Sequence, residues 1–286
     1  MTASPSTLEA LREMVRRDSG IILSEEQDHL VGLRLRPLVA SCKLNTIDEL
    51  VRLAHDDGTN DVRRLVVSAL ATNETSFFRD APCFRALREV VVPELVRARS
   101  GERKLRVWSA ACSSGQEIYS VAMLLADAFP HVMGWDVELA ATDLCREMVE
   151  RTKSGTYTQL EVNRGLPVRY LARFFEPKRS EWTLLPELRA KVSASVLNLT
   201  RPWPALKKVD LVLLRNVLIY FDDATKLAIM TRLRSVLAPD GFLVVGAAES
   251  PRQICNWFEA EAMAGGFVAY RHRPDAHEGE RERRMR

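Results

Sequence analysis

A chain of 286 residues, 47% hydrophobic and 28% charged, is long enough for a full core and for two domains. Its net charge of +3 is too small to argue for nucleic acid. No apolar run approaches the roughly 20 residues of a bilayer span and no signal-peptide core opens the chain, so a cytoplasmic protein is expected. The five cysteines (Cys42, Cys83, Cys112, Cys145, Cys255) never form C-x-x-C, and the five histidines lack metal spacing. Neither a disulfide framework, a metal site nor triad chemistry is indicated.

Three capping boxes announce helix starts: Ser6 with Glu9, Ser24 with Gln27, and Thr46 with Glu49. Apolar residues follow at helical spacing (Leu8, Leu11, Val15; Ile47, Leu50, Val51, Ala54), and a fourth helix carries Val62, Leu65, Val66, Ala69 and Leu70. Residues 1–71 therefore read as an all-helical domain, with Pro37 expected to kink or divide its second helix. Residues 72–104 are a linker and connecting helix, packed through Phe84, Leu87, Val91 and Leu95, with Pro93 near the middle.

From 105 to 271 strands alternate with helices, the pattern of an α/β fold with a mostly parallel, Rossmann-like sheet. Strands are expected at 105–108, 137–142, 192–199, 209–214, 242–247 and 265–270. A small antiparallel β insert near 172–190 is expected from the hairpin pattern of 174–185. Asp222 or Asp223 caps a helix whose inner face is Leu227, Met230, Leu233 and Leu237. Residues 272–286 read as a disordered basic tail, six arginines standing against four acids from Arg271 on.

The chain is organised around residues 105–119, L-R-V-W-S-A-A-C-S-S-G-Q-E-I-Y: strand, small-residue loop, helix. Small side chains let a ligand lie against backbone, and N–H groups at the helix start point at it. The loop holds a single glycine, Gly115, and Glu117 at the helix mouth repels phosphate. A cofactor with hydroxyls and a positive charge fits better, and S-adenosylmethionine has both. Asp143, at the end of the second strand, suits a ribose diol and equally suits a helix cap. Polar groups also end two other strands, at Asn198 and at Arg215-Asn216.

The motifs N-E-T-S-F-F-R (73–79), W-S-A-A-C-S-S-G-Q-E (108–117), T-D (142–143), N-L (198–199) and R-N-V-L-I-Y-F (215–221) resemble those of the chemotaxis receptor methyltransferases, the CheR family. The resemblance runs in order from about residue 7 to 271. It implies a Rossmann-like S-adenosylmethionine-dependent methyltransferase sheet with an N-terminal all-helical domain and a small antiparallel β insert. The activity implied is methyl transfer from S-adenosylmethionine to glutamate side chains of chemoreceptor cytoplasmic helices, leaving S-adenosylhomocysteine, with no metal.

By motif, the implied cofactor-binding residues are Asn73, Thr75, Arg79, Glu117, Asp143, Asn198, Leu199, Arg215 and Asn216, with Arg79 and Tyr220 closest to the transferred methyl. Phe77 and Phe78 read as interdomain packing. The helical domain is implied to contact the receptor through Arg34, Arg36 and Lys43 of its second helix, led by Arg34. The insert's turn lacks glycine, so no dependence on a receptor tether peptide is expected. No nucleic acid, no membrane insertion and a monomer complete the expectation. Two other readings compete: a signalling module that binds S-adenosylmethionine or S-adenosylhomocysteine without methyl transfer, and a methyltransferase of another substrate.

Overall fold

The computed structural model describes residues 3–56 and 60–273. Two compact units emerge: Met1–Asn73 with Tyr220–Thr225, and Glu74–Ile219 with Lys226–Arg286. The tail expected at 272–286 lies, from residue 274 on, outside the described residues.

The helical unit is built from α1 (Pro5–Ser19), α2 (Asp28–Ser41), α3 (Ile47–His55) and α4 (Asn60–Leu70). Helix α1 starts earlier than its Ser6 signal. Ser4 accepts from the Thr7 N–H, and Pro5 takes the first helical position, where its missing N–H costs nothing. Before α2, the Ser24 N–H donates to Gln27 Oε1 at 3.2 Å, and before α3 the Glu49 N–H donates to Thr46 Oγ1 at 3.1 Å. Helix α2 is not divided at Pro37, which is exposed, so water can reach the carbonyl that its missing N–H leaves unpaired. Leu11, Met14, Leu35, Ile47, Leu50 and Leu70 fill the core.

Two polar ties fix these helices. Asp48 of α3 accepts the Ser4 hydroxyl at 2.8 Å, and Arg63 of α4 grips Asp18 of α1 with two nitrogens. Arg34, expected to lead the receptor contact, is instead engaged internally. It donates to the Leu70 carbonyl at 2.7 Å and to Thr72 Oγ1 at 3.3 Å, closing the carbonyl end of α4. The segment Tyr220–Thr225 belongs to this unit: the Ile22 N–H donates to the Tyr220 carbonyl at 2.9 Å, and Arg16 pairs with Asp222 at 3.2 Å.

In the sheet unit, α5 (Ala81–Ala86) and α6 (Val92–Ala98) are joined by a π-helical turn, Leu87–Val91. The wider turn directly precedes Pro93, whose missing N–H could not continue the ordinary ladder. Then follow β1 (Lys104–Ala110), α7 (Gln116–Ala128), β2 (Asp136–Asp143), α8 (Arg146–Ser154), β3 (Thr156–Thr158), α9 (Gln159–Asn163) and α10 (Val168–Phe174). The chain continues with β4 (Phe175–Lys178), β5 (Glu181–Leu184), α11 (Pro186–Arg189), β6 (Val192–Val196), β7 (Val209–Leu214), α12 (Asp223–Val236), β8 (Leu237–Val245), β9 (Phe258–Ala262) and β10 (Val268–His272).

The main sheet runs β6-β2-β1-β7-β8-β10-β9, with β6, β2, β1, β7 and β8 parallel and β10 antiparallel to both neighbours. Strand order reverses between β1 and β7, so the crevice beyond their carboxyl ends is where such a sheet takes a ligand. Every residue of β7 is buried, including Asp210, whose carboxylate accepts from Arg99 Nε and from the Arg106 N–H, both at 2.8 Å. This is the Rossmann-like sheet that the resemblance implies. The β insert is a second sheet, β3-β5-β4, in which the expected hairpin gains Thr156–Thr158 as a third strand.

Four details differ from the sequence pattern. Helix α7 is buried almost all round, because the insert region covers its outer side: Tyr157 Oη donates to the Ser114 carbonyl and Tyr119 Oη to the Thr152 carbonyl. Helix α12 turns Ile229, Met230, Leu233 and Val236 inward and leaves Leu227 42% exposed, while Leu237 already belongs to β8. Phe77 and Phe78, expected as interdomain packing, find their ring partners within the sheet unit. Phe77 meets Tyr157 edge-on at 4.9 Å, and Phe78 meets Phe84 at 5.0 Å. Strand β9, too polar to stand out in the sequence, fills the sheet edge beyond β10. Among the described residues no helix is long and apolar enough to cross a membrane.

Candidate active site

The loop between β1 and α7 is bent by three residues in the left-handed region, Ala111 (φ 62°), Ser113 (φ 50°) and Gly115 (φ 91°). Only glycine suits the last of these, since a Cβ there would sit 2.7 Å from Thr152 Cγ2. Asp143, closing β2, anchors the loop: the Ser113 N–H donates to its Oδ2 at 2.8 Å and the Cys145 N–H to its Oδ1 at 2.9 Å. The helix-cap reading gives way, since Cys145 is the N-cap of α8 and no side chain caps that helix; the Asp143 carboxylate instead shapes the loop and keeps lone pairs for further donors. Burial pushes its carboxyl above the usual aspartate range, against the pull of those N–H bonds.

Arg215, at the end of β7, is a buried guanidinium, its side chain 2% exposed. It donates to Glu117 Oε2 at 2.9 Å, to the Arg79 carbonyl at 2.9 Å and to the Asp80 carboxylate. Glu117 Oε1 accepts the Ser109 hydroxyl at 2.7 Å. One cation therefore ties the mouth of α7 to the loop before α5. In that loop Arg79 sits between two non-glycine residues in the left-handed region, Phe78 (φ 49°) and Asp80 (φ 64°). Such conformations cost about 1–3 kcal/mol each and persist where surroundings over-determine them. Here the Ser120 hydroxyl accepts the Phe78 N–H at 2.9 Å, and Arg215 fixes the Arg79 carbonyl. The Arg79 side chain is half-buried and donates to the Glu74 carbonyl at 3.1 Å.

Beyond β7 the chain turns at Asn216 (φ 58°). Glu249, in the loop after β8, is 8% exposed and accepts five backbone N–H groups. Sequence reasoning passed over it. The available signal was an acid three residues after Gly246, at the end of a buried strand, where a carboxylate needs partners. On the other side of β1, the Leu197 N–H donates to the Asp143 carbonyl at 2.9 Å, drawing Asn198-Leu199 to the end of β2. Asn198 Oδ1 accepts from the Thr200 N–H and hydroxyl, and the Leu199 carbonyl accepts from Arg232 and from Trp203 Nε1. Trp203 in turn meets Trp108 edge-on at 5.1 Å, and Trp108 Nε1 donates to Thr142 Oγ1 at 2.9 Å.

Within the sheet unit, Glu117, Arg215 and Arg79 form one hydrogen-bonded set, while Asn198 and Leu199 follow Leu197, whose N–H holds the chain to the Asp143 carbonyl at the end of β2. Asn216 follows Arg215 directly, and half-buried Thr75 lies four residues before Arg79. Asn73 and Tyr220, both half-buried, belong to the helical unit.

This donor set fits S-adenosylmethionine. Arg215 Nε is buried with no hydrogen-bond partner, a donor left for a ligand acceptor. Arg215 is outnumbered by the two carboxylates that it binds, Glu117 and Asp80, so a cationic ligand is electrostatically favoured. Burial pushes the Cys83 thiol up to about 12 and the Cys112 thiol well above its ordinary value, which keeps thiolate chemistry out of the site. Among the described residues no group of three or more His, Cys, Asp or Glu side chains is placed to hold a metal.

The geometry agrees with what the chain resembles. Residues 73–266 match the model of the CheR methyltransferase, SAM binding domain. "Chemotaxis protein methyltransferase 1" of Pseudomonas aeruginosa is 36% identical over 272 residues, covering 94% of this chain and 98% of its own length. "Chemotaxis protein methyltransferase Cher2" of Pseudomonas putida is 35% identical with the same coverage. The chemotaxis protein methyltransferase of Escherichia coli is 32% identical over 255 residues, 87% of this chain and 86% of its own. With two thirds of its residues under the family model and near-complete relatives above 30% identity, the chain belongs to the CheR methyltransferase family.

Proposed function

We propose that the protein transfers a methyl group from S-adenosylmethionine to glutamate side chains of chemoreceptor cytoplasmic domains, giving glutamate methyl esters and S-adenosylhomocysteine. The observation that carries this reading is the buried Arg215–Glu117 pair at the mouth of α7, with a free guanidinium N–H and an excess of carboxylate around it, inside a chain of the CheR family. Bound S-adenosylmethionine supplies an electrophilic methyl on a sulfonium that leaves readily as a neutral thioether.

The remaining work falls to the protein and is positional. A glutamate acceptor is ionised at neutral pH, with a reference pKa of about 4.3, so no general base is required. Arg79 orients the acceptor carboxylate by charge, from a loop held rigid on both sides of it, and Tyr220 adds a hydrogen bond. Glu117 and Asp143 take the polar hydrogens of the methionyl and ribose parts, while Asn198, Leu199 and Asn216 line the adenine side. Asn73 and Thr75 complete the cofactor contacts.

On the receptor side, Arg34 is engaged at the end of α4, so exposed Arg36 of α2 and exposed Lys43, just beyond its end, are the basic residues left for an acidic methylation region. The protein acts as a monomer and without a tether peptide, the turn between β4 and β5 being made by Arg179 at φ 57° rather than by glycine. Calorimetric titration with S-adenosylhomocysteine tests the cofactor assignment: saturable binding that is lost in Asp143→Ala supports it, and a folded protein that does not bind at millimolar ligand contradicts it.

A further inference from the structure

The chain after β7 makes an unusual turn. Four consecutive N–H groups, from Asn216 to Ile219, converge on one carboxylate. Glu249 Oε2 accepts from Asn216 at 2.8 Å and from Gly246 at 2.7 Å. Glu249 Oε1 accepts from Val217 at 2.8 Å, Leu218 at 2.6 Å and, more weakly, Ile219 at 3.4 Å. Glu249 also closes its own turn, its N–H donating to the Gly246 carbonyl at 2.9 Å. Converging backbone N–H groups of this kind form an anion-binding concavity, which elsewhere takes a phosphate or a sulfate. Here the anion is part of the chain.

The clamp acts on residues already placed at the site. Asn216 is in the left-handed region (φ 58°), a conformation open to asparagine but not its default, and its N–H is one of the clamped donors. Arg215 precedes it directly, and the same stretch of backbone runs on into Tyr220. Gly246 shows how tightly the arrangement closes: a Cβ there would lie 2.7 Å from Glu249 Oε2, 2.8 Å from Asn216 Nδ2 and 2.9 Å from the Asn216 nitrogen. No neutral side chain offers two oxygens with enough lone pairs to satisfy these donors.

We propose that Glu249 is a positioning residue for methyl transfer: its carboxylate holds the Asn216–Ile219 backbone in the one conformation that presents Asn216 to the cofactor. This rests on the function proposed above. Glu249 touches neither cofactor nor acceptor and acts through the loop.

The test uses the full chain, with S-adenosylhomocysteine affinity by calorimetry and initial methylation rates on a receptor cytoplasmic fragment. Wild-type protein is measured first, and failure of wild type to bind or methylate contradicts the function itself. In Glu249→Gln, kcat falls at least tenfold and S-adenosylhomocysteine binds severalfold more weakly, while KM for the receptor is unchanged. In Glu249→Ala, added acetate, a free carboxylate for the vacated nest, recovers part of the lost kcat but leaves wild type unaffected. Wild-type kcat and affinity in folded Glu249→Gln, or a loss confined to receptor KM, overturns the proposal, as does an alanine variant that acetate does not improve. If the Glu249 variants do not fold, Gly246→Ala strains the same clamp from the other side. The same kcat and affinity losses there support the proposal, and wild-type values overturn it.

Discussion

Arg215 and Glu117 meet at 2.9 Å across the carboxyl ends of β7 and β1, the guanidinium almost wholly withdrawn from solvent and the carboxylate nearly so. Removing one member of such a pair leaves a buried charge and costs about 3–5 kcal/mol. Arg215→Leu is therefore expected to destabilise the fold by about 3 kcal/mol, the lower end because Ser109 still donates to Glu117. Urea unfolding of the two proteins checks it. A loss below half that value would show that the pair is no more than a surface contact.

Arg79→Ala lowers kcat about a hundredfold at saturating cofactor and receptor, the scale of losing one aligned positioning contact. S-adenosylhomocysteine affinity changes less, since the loop backbone is held by Arg215 and Ser120 independently of the Arg79 side chain. Single-turnover methylation separates the two effects.

Burial raises the Asp143 pKa above the ordinary value of about 3.9. Its ionised form, the one that accepts hydroxyls, is thus lost at a higher pH than that of a free aspartate as the solution is acidified. S-adenosylhomocysteine affinity accordingly falls as pH drops through the raised pKa, and the ligand-free fold is relieved of its buried charge over the same interval. Calorimetry across pH shows this fall in wild type and not in Asp143→Asn. An affinity that stays flat down to the ordinary aspartate pKa would contradict the assignment.

Gly115→Ala places a methyl group against Thr152 in a left-handed backbone position. It is expected to cost about 2 kcal/mol, roughly 5 °C in Tm for a unit of this size. It also weakens S-adenosylhomocysteine binding. Thermal melts with and without ligand measure both.

Arg36→Ala and Lys43→Ala raise KM for the receptor without altering stability, whereas Arg34→Ala lowers stability by about 1 kcal/mol through its lost bond to the end of α4. Equal effects of all three on KM would return Arg34 to the receptor surface.

Much of this was legible from residue order alone. Buried parallel strands announce themselves as apolar runs, so β1, β7 and β8 stand out, and β2 leads the eye to Asp143. The cluster Thr-Asn-Glu-Thr-Ser breaks the helical period and marks where the helical unit gives way to the sheet unit. What stayed hidden depends on partners distant in sequence. The engagement of Arg34 with Leu70 and Thr72 requires knowing that α2 and α4 pack. The extra strand Thr156–Thr158 is too short to show a period, and the all-round burial of α7 reflects the insert region laid over it. The clamp at Glu249 joins two loops 30 to 33 residues apart through backbone donors, which carry no side-chain signature at all.

The most direct measurement is methyl transfer itself. Purified protein is incubated with methyl-labelled S-adenosylmethionine and a receptor cytoplasmic fragment, and the label is located by peptide mass spectrometry and by mild alkaline hydrolysis. Label on glutamate side chains, released as methanol by alkali and deposited about a hundredfold more slowly by Arg79→Ala, is the predicted result. Protein that binds S-adenosylhomocysteine but places no alkali-labile methyl on receptor glutamates would contradict the account.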